Sequence, residues 1–175
     1  MNGIKHIEKI REYCNYVEDH LRNVEKSWLF IQEACASMHP FYDDHLWAVM
    51  DQMIKEHDVS KMSPSEFVQY QQQFYPADGL IPNIDREEFQ DAWRHHWENN
   101  PHHWENWTKA KETFPNESSC HCVCMVVDWM AMGLHFGDTA EEFYNRKQNE
   151  IDLPHWAVIF IRDIFDRLNS ENSTE

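Results

Sequence analysis

Glycine is scarce in this chain, with four in 175 residues, and the seven prolines are thinly spread. Sheets draw on runs of β-branched residues punctuated by turn residues, and few such runs occur; long stretches of helix formers take their place. These absences disfavour a sheet architecture, and the expectation is an all-α protein. Basic charge is scarce too: 15 Lys and Arg stand against 31 Asp and Glu, for a formal net charge of −16. No segment gathers the basic residues into a stripe, so binding to duplex nucleic acid by counterion release is not expected. The N-terminal stretch MNGIKHIEKIREYC lacks the apolar core of a signal peptide, and no uninterrupted run of 18 apolar residues occurs. A soluble, cytoplasmic protein without a membrane partner is expected. The five cysteines (14, 35, 120, 122, 124) are too few and odd in number for a disulfide framework. Within CHCVC the spacing is wrong for a Cys-x-x-Cys zinc knuckle, and on a helix Cys122 points away from Cys120 and Cys124. These thiols read as small buried residues.

What the chain has in quantity is aromatic residues, including eight Trp, and histidine, with twelve. An apolar content of 42% over this length supports one core. The expectation is a single domain over residues 1–169 and a polar tail over 170–175. Ile4, Ile7, Cys14, Val17, Leu21, Val24 and Trp28 recur at helical steps and predict a first helix over 3–28, with a continuation toward Met38. Pro40 ends it, and Asp43 or Asp44 caps a second helix whose end delivers His57 and Asp58. In MSPSEF, Ser63 reads as a cap, Pro64 as the first helical position, Glu66 as capping-box partner, and Met62 with Phe67 as a hydrophobic staple, predicting a helix over 64–73. Asp85 and Glu88 repeat the box for a helix to about Asn99, and Pro101 can open a further turn. A helix over 117–132 is expected to stop at Gly133. Asp138 or Thr139 starts the next with Glu141 or Glu142 in the box position. Pro154 opens the last, with Trp156, Ile159, Phe160, Ile164 and Leu168 as its stripe. About seven helices result.

The histidines are unevenly placed, with His95 and His96 in WRHHW and His102 and His103 in PHHW. Imidazole with carboxylate suits divalent transition metals, yet clustering alone also fits half-buried rings stacked on the neighbouring Trp. The pair His57-Asp58 tips the balance when placed with an earlier His and a later Asp. HDVSK, HLRNV at 20–24, AWRHHWENNPHHW at 92–104 and DWMAMG at 128–133 together resemble the HD-domain superfamily of metal-dependent phosphohydrolases. More narrowly, they resemble a small family of bacterial and phage proteins within it, over residues 16 to about 140.

The resemblance implies an HD-like helical bundle in which His20, His57, Asp58 and Asp128 hold a first metal. The residues agree with it: His20 lies beside Val17 and Val24, His57 continues the Met50, Met53, Ile54 face, and Asp128 follows Cys120 and Cys124 at four-residue steps. His45 competes for the first position, but it lies twelve residues from His57 on one helix, about 18 Å away. The resemblance also implies a second metal on His96 and His102, with His95 and His103 left to touch a phosphate or support a ligand. Lys61 resembles the Lys that neutralises an anionic substrate, and Asp58 holds the attacking water. His96 is expected to share an inward face with Phe89 and Trp93, with His95 toward Ala92. The implied cofactor is one or two divalent ions among Mn, Fe, Zn, Co and Mg, and the implied partner is a small phosphorylated molecule of the nucleotide kind. Hydrolysis of a phosphoester or phosphoanhydride is the expected reaction. A di-iron oxygenase of the HD type and a non-catalytic nucleotide-binding protein are the alternatives.

Overall fold

Helical spacing of apolar residues is realised along the chain. The computed structural model describes residues 3–77, 82, 84–108 and 116–172. Eight α-helices and no strand occur among the described residues. They are α1 (Gly3–Ala34), α2 (Asp44–Lys55), α3 (Phe67–Phe74), α4 (Arg86–Asn99), α5 (Trp104–Trp107), α6 (Asn116–Phe136), α7 (Ala140–Lys147) and α8 (His155–Asn172). A 3₁₀ turn, Val59–Met62, links α2 to α3. The protein is the expected all-α bundle.

The organising helix is α6, which packs against α1, α2, α5, α7 and α8. Cys120, Cys122, Val123, Cys124, Met125, Val126, Val127 and Ala131 are all buried, so neighbours cover most of the circumference of α6, while Asp128, Met132, His135 and Phe136 open onto a cavity. Over Glu117–Phe136 it is long and apolar enough to cross a membrane by length and composition, and most of that stretch is buried inside the protein. Val24, Trp28 and Ile31 of α1, Leu46, Met50 and Ile54 of α2, and Ala157, Ile161 and Ile164 of α8 close around it as the main core. A smaller core, Tyr13, Val17, Tyr70 and Ala92, joins the first half of α1 to α3 and α4. His20 lies between Val17 of the small core and Val24 of the large one, which puts it at the seam between the two.

Several expectations need correction. The inner face of α1 runs through Tyr13, Val17, His20, Val24, Trp28 and Ile31; Ile4 and Ile7 are exposed near its N-terminal end, and Cys14 faces out. Asp43 does cap α2, accepting from the His45 and Leu46 N–H groups. The box at Ser63 does not form: α3 starts at Phe67, the Ser63 side chain makes no hydrogen bond among the described residues, and Met62 is half exposed. The Glu66 carboxylate is turned inward to two histidines, so it cannot reach back to the chain. Asp85 caps α4 through the Glu87 N–H. Helix α6 passes through Gly133 and ends at Gly137, whose φ of +84° is the left-handed position that glycine favours. At Gly133 the Asp138 carbonyl stands where a Cβ would be, so its glycine serves a close backbone approach. Thr139 and Glu142 form the reciprocal capping box of α7. On α8 the buried stripe is Ala157, Phe160, Ile161, Ile164, Phe165 and Leu168, while Ile159 is exposed. Residues 170–172 of the expected tail are helical, and 173–175 lie outside the described residues, as do 109–115 of the turn expected after Pro101.

Candidate metal centre

Three chain segments meet at the seam. His20 projects from the inner face of α1, and Asp128 from α6 one turn beyond Cys124. His57 and Asp58 occupy the turn just past α2, where Asp58 takes φ 59°, ψ 13°. A non-glycine residue pays roughly 1–2 kcal/mol for the left-handed region, with Asp among the more tolerant types. That backbone reversal turns the Asp58 carboxylate toward the histidines. All of His20, His57 and Asp58 are at most 4% exposed.

The distances define the arrangement. His20 Nε2 is 3.2 Å from Asp58 Oδ2, 3.2 Å from Asp128 Oδ1 and 3.3 Å from His57 Nε2. His57 Nε2 is 3.4 Å from Asp128 Oδ1 and 3.7 Å from Asp58 Oδ2. The other Asp58 oxygen, Oδ1, faces a different pair: His96 Nε2 at 3.3 Å and His102 Nε2 at 3.5 Å. His103 joins this second group, whose donor atoms lie within 4.8 Å of one another. The His57 and His102 rings stack at 3.9 Å between centroids and tie the two groups together.

Donors about 2.1 Å from a shared ion stand roughly 3.0 Å apart at right angles and roughly 3.4 Å apart at the tetrahedral angle. Four of the five separations around His20, His57, Asp58 and Asp128 lie in that range, and the fifth, His57 Nε2 to Asp58 Oδ2, is 3.7 Å. Buried polar atoms ordinarily find partners. Yet Asp58 Oδ1, His102 Nε2 and His103 Nε2 are sealed from solvent with no hydrogen bond among the described residues. With both imidazoles in the tautomer that leaves Nε2 unprotonated, these three atoms are acceptors aimed together, an arrangement suited to a cation. These buried His and Asp clusters can hold a metal ion.

Electrostatics prepares the donors. Burial alone would raise the Asp58 pKa, but Lys61, His57 and His20 hold it well below the usual carboxylate range. Asp128 is likewise held low against its burial by His20 and His57. Burial would lower His20, and the two carboxylates overturn this and raise it to about 9. His102 is pushed well down by burial and by His57, and His103 falls to about 4 through burial and His96. Both are neutral near pH 7, the form that ligates a metal.

A supporting layer fixes His96. Glu66, fully buried, accepts from His96 Nδ1 at 2.8 Å through Oε2 and from His95 Nδ1 at 2.6 Å through Oε1. With the proton held on Nδ1, His96 Nε2 presents its lone pair to the centre. The Asn100 side-chain amide donates to Ser60 Oγ at 2.6 Å and to the His96 carbonyl at 2.7 Å, and Ser60 Oγ stands 3.3 Å from His96 Nδ1. Sequence reasoning missed Glu66, Ser60 and Asn100 as site residues. Glu66 was taken up by the capping signal, and the polar spacings of Ser60 and Asn100 carry no periodic mark.

The structure brings His20, His57, Asp58, Asp128, His96, His102 and His103 together and leaves His95 to one side. His95 touches Glu66 from the flank of α4, its side chain 38% exposed, and it is not among the described residues that line the adjoining cavity. The buried face of α4 is Ala92 with His96, one turn apart, while Trp93 is partly exposed. Lys61 Nζ lies 2.5 Å from Asp58 Oδ2 and lines that cavity with His103. His45 is exposed, in keeping with its rejection. The cavity has a volume of about 880 Å³, opens on His20, Asp58, His96, His102 and Asp128, and is walled largely by aromatic rings.

No curated protein and no solved structure matches this chain. Residues 4–164 match the model of a family of unknown function, DUF5662, and the chain belongs to that family.

Proposed function

We propose that this protein is a hydrolase of small phosphoesters or phosphoanhydrides in which Asp58, together with His20, His57 and Asp128 and with His96, His102 and His103, would hold two divalent ions. The observation that supports this most is the division of labour within one carboxylate: Oδ2 faces His20 and His57, and Oδ1 faces His96 and His102. A residue serving a single ion has no need to present both oxygens to separate imidazole pairs. His20, His57 and Asp128 complete one donor set, and His96, His102 and His103 the other.

A bound divalent ion supplies charge against phosphoryl oxygens and brings the pKa of water to about 7. The chain's own residues do the rest. Asp58, kept ionised by its neighbours, orients water toward the cavity. Lys61 is a buried ammonium: burial would lower its pKa, and Asp58 raises it, so it stays charged and can meet a phosphoryl oxygen. His96, with its Nδ1 proton fixed by Glu66, and neutral His102 hold their lone pairs inward. The aromatic walls lower the local dielectric beside the site, which strengthens each of these charge interactions.

Replacing Asp58 with Ala is expected to remove bound metal, measured by elemental analysis, together with phosphate release from a nucleotide panel. Turnover retained by a metal-depleted Asp58→Ala protein sinks the mechanism.

The second reading, a dioxygen-using di-iron enzyme, is favoured by five imidazoles against two carboxylates, a nitrogen-rich set that suits iron. Turnover with Mn or Mg under anaerobic conditions excludes it.

A further inference from the structure

Two phenols of the small core stand where a wholly apolar ring would pack as well. Tyr13 on the inner face of α1 and Tyr70 on α3 are 1% and 6% exposed, and both line the cavity together with Asp58 and His96. Their rings are firmly packed. Tyr13 meets Phe67 edge-on at 5.3 Å between centroids, Tyr70 meets Phe89 edge-on at 5.4 Å, and Tyr70 lies 5.6 Å from the His96 ring. The hydroxyls have no comparable hold: each oxygen is sealed from bulk solvent, and neither has a hydrogen-bond partner among the described residues.

Buried hydroxyls ordinarily find partners, and an unmet one carries a cost that a Phe in the same place would not. Burial, together with the charges of Asp58 and Glu66, raises the pKa of both phenols, so they remain protonated donors. Neither nearby carboxylate accepts from them. Glu66 is occupied by His95 and His96, and Asp58 by Lys61. Tyr16, a third phenol on the same wall, differs in having its hydroxyl 3.8 Å from the Met132 sulfur. Tyr13 and Tyr70 thus offer two neutral O–H donors from the α1 and α3 side of the centre. A further ammonium there would repel ions held by Asp58 and Asp128, whereas a phenol supplies a donor without that repulsion.

We propose that the Tyr13 and Tyr70 hydroxyls are substrate-binding donors, each giving a hydrogen bond to a non-bridging oxygen of a phosphoryl group seated at the metal centre. This rests on the two-ion hydrolase reading above, and it adds the wall that the phosphoryl group faces, the one built by α1 and α3.

The test uses inorganic phosphate as the probe, titrated calorimetrically into metal-loaded wild-type protein and into its Tyr13→Phe and Tyr70→Phe variants, which keep the rings and their packing. A hydrogen bond to a charged acceptor is worth roughly tenfold to a hundredfold in affinity, and each variant is expected to bind phosphate more weakly by about that factor. Metal content by elemental analysis is expected to stay the same. The melting temperature of the metal-free variants is expected to equal or exceed that of wild type, because no hydrogen bond of the fold is removed. Phosphate affinity equal to wild type in both variants overturns the proposal. So does a lowered melting temperature in both, which assigns the hydroxyls to the fold. A wild-type protein that takes up metal but binds no phosphate also overturns it, while leaving the metal centre standing. Weakened phosphate binding in the variants, with no phosphate release from any phosphoester by wild type, supports the two donors and sets aside the hydrolase reading alone.

Discussion

Glu66 shows how one buried carboxylate can serve two histidines. It is fully enclosed, accepts from both His95 and His96, and its pKa is held low against burial by hydrogen bonds from His96, Ser60 and His95. Partners that orient a ligating His typically control metal affinity by 10–100-fold. Glu66→Gln preserves volume and removes the charge, so metal affinity in the site containing His96 is expected to fall by about that factor, measured by competition with a chromogenic chelator. The site of His20, His57 and Asp128 should keep its affinity, and the fold should survive. Loss of both sites in equal measure would show that Glu66 holds the bundle rather than the ligand. The same residue marks where sequence reading fails. Ser63-Pro64-Ser65-Glu66 carries every sign of a capping box, yet local signals do not report that two imidazoles thirty residues away offer the carboxylate stronger partners. His20, His57, Asp58 and Asp128 were legible because each sits at a register position on an apolar stripe or at a helix end. His103 and His102 were not separable in sequence because both turn inward in the link before α5.

Among the elements, α6 carries the clearest balance of order and constraint. Its enclosed face explains why periodicity located the helix but misplaced its end: with apolar residues around most of the circumference, the pattern does not mark a stop. Gly133 looked like a terminator and is instead a contact point. A Cβ there would meet the Asp138 carbonyl, a backbone atom that cannot swing aside. Gly133→Ala is expected to destabilise the protein by about 1–3 kcal/mol, the usual cost of overpacking, seen as a lowered urea midpoint with an unchanged m-value. The capping box of Thr139 and Glu142 would be displaced with the Asp138 turn. Helix α7, which places Arg146 and Lys147 on the cavity wall, would move with it. The contrast with Gly137 is instructive, since its φ of +84° is the true helix stop and no neighbour lies within 4 Å of a Cβ built there. Two glycines four residues apart thus do different work, and sequence alone ranks them equally.

For the whole molecule, a metal held at this centre would compete with protons. Without metal, His20 is raised from 6.5 to about 9 by Asp128 and Asp58 acting against burial. A raised histidine contributes stability in full below about 6.5, and that contribution is lost as pH rises through about 9. Metal requires the neutral ring, so its apparent affinity increases over the same window. The melting temperature of chelator-treated protein is therefore expected to fall between pH 6.5 and 9, while the difference between metal-loaded and metal-free protein widens. Thermal melts in paired buffers across that range check it. A constant difference would mean that His20 does not ligate. Saturating metal at 100 times its dissociation constant stabilises by about 2.7 kcal/mol, enough to be visible in such melts.

The seam between the two cores carries a last consequence. Tyr70 and Trp93 stand on helices that build the small core, while Trp129 and Phe143 belong to the large one, and all four rings line one cavity. His96 comes from the small-core side and Asp128 from the large-core side, with Asp58 between them. On the two-ion reading proposed above, ions held here would act as a clasp across the joint, and filling their sites would set the width of the chamber. Loading and shape of the chamber would then be one variable: a protein carrying one ion instead of two would have a different chamber, not merely a weaker one.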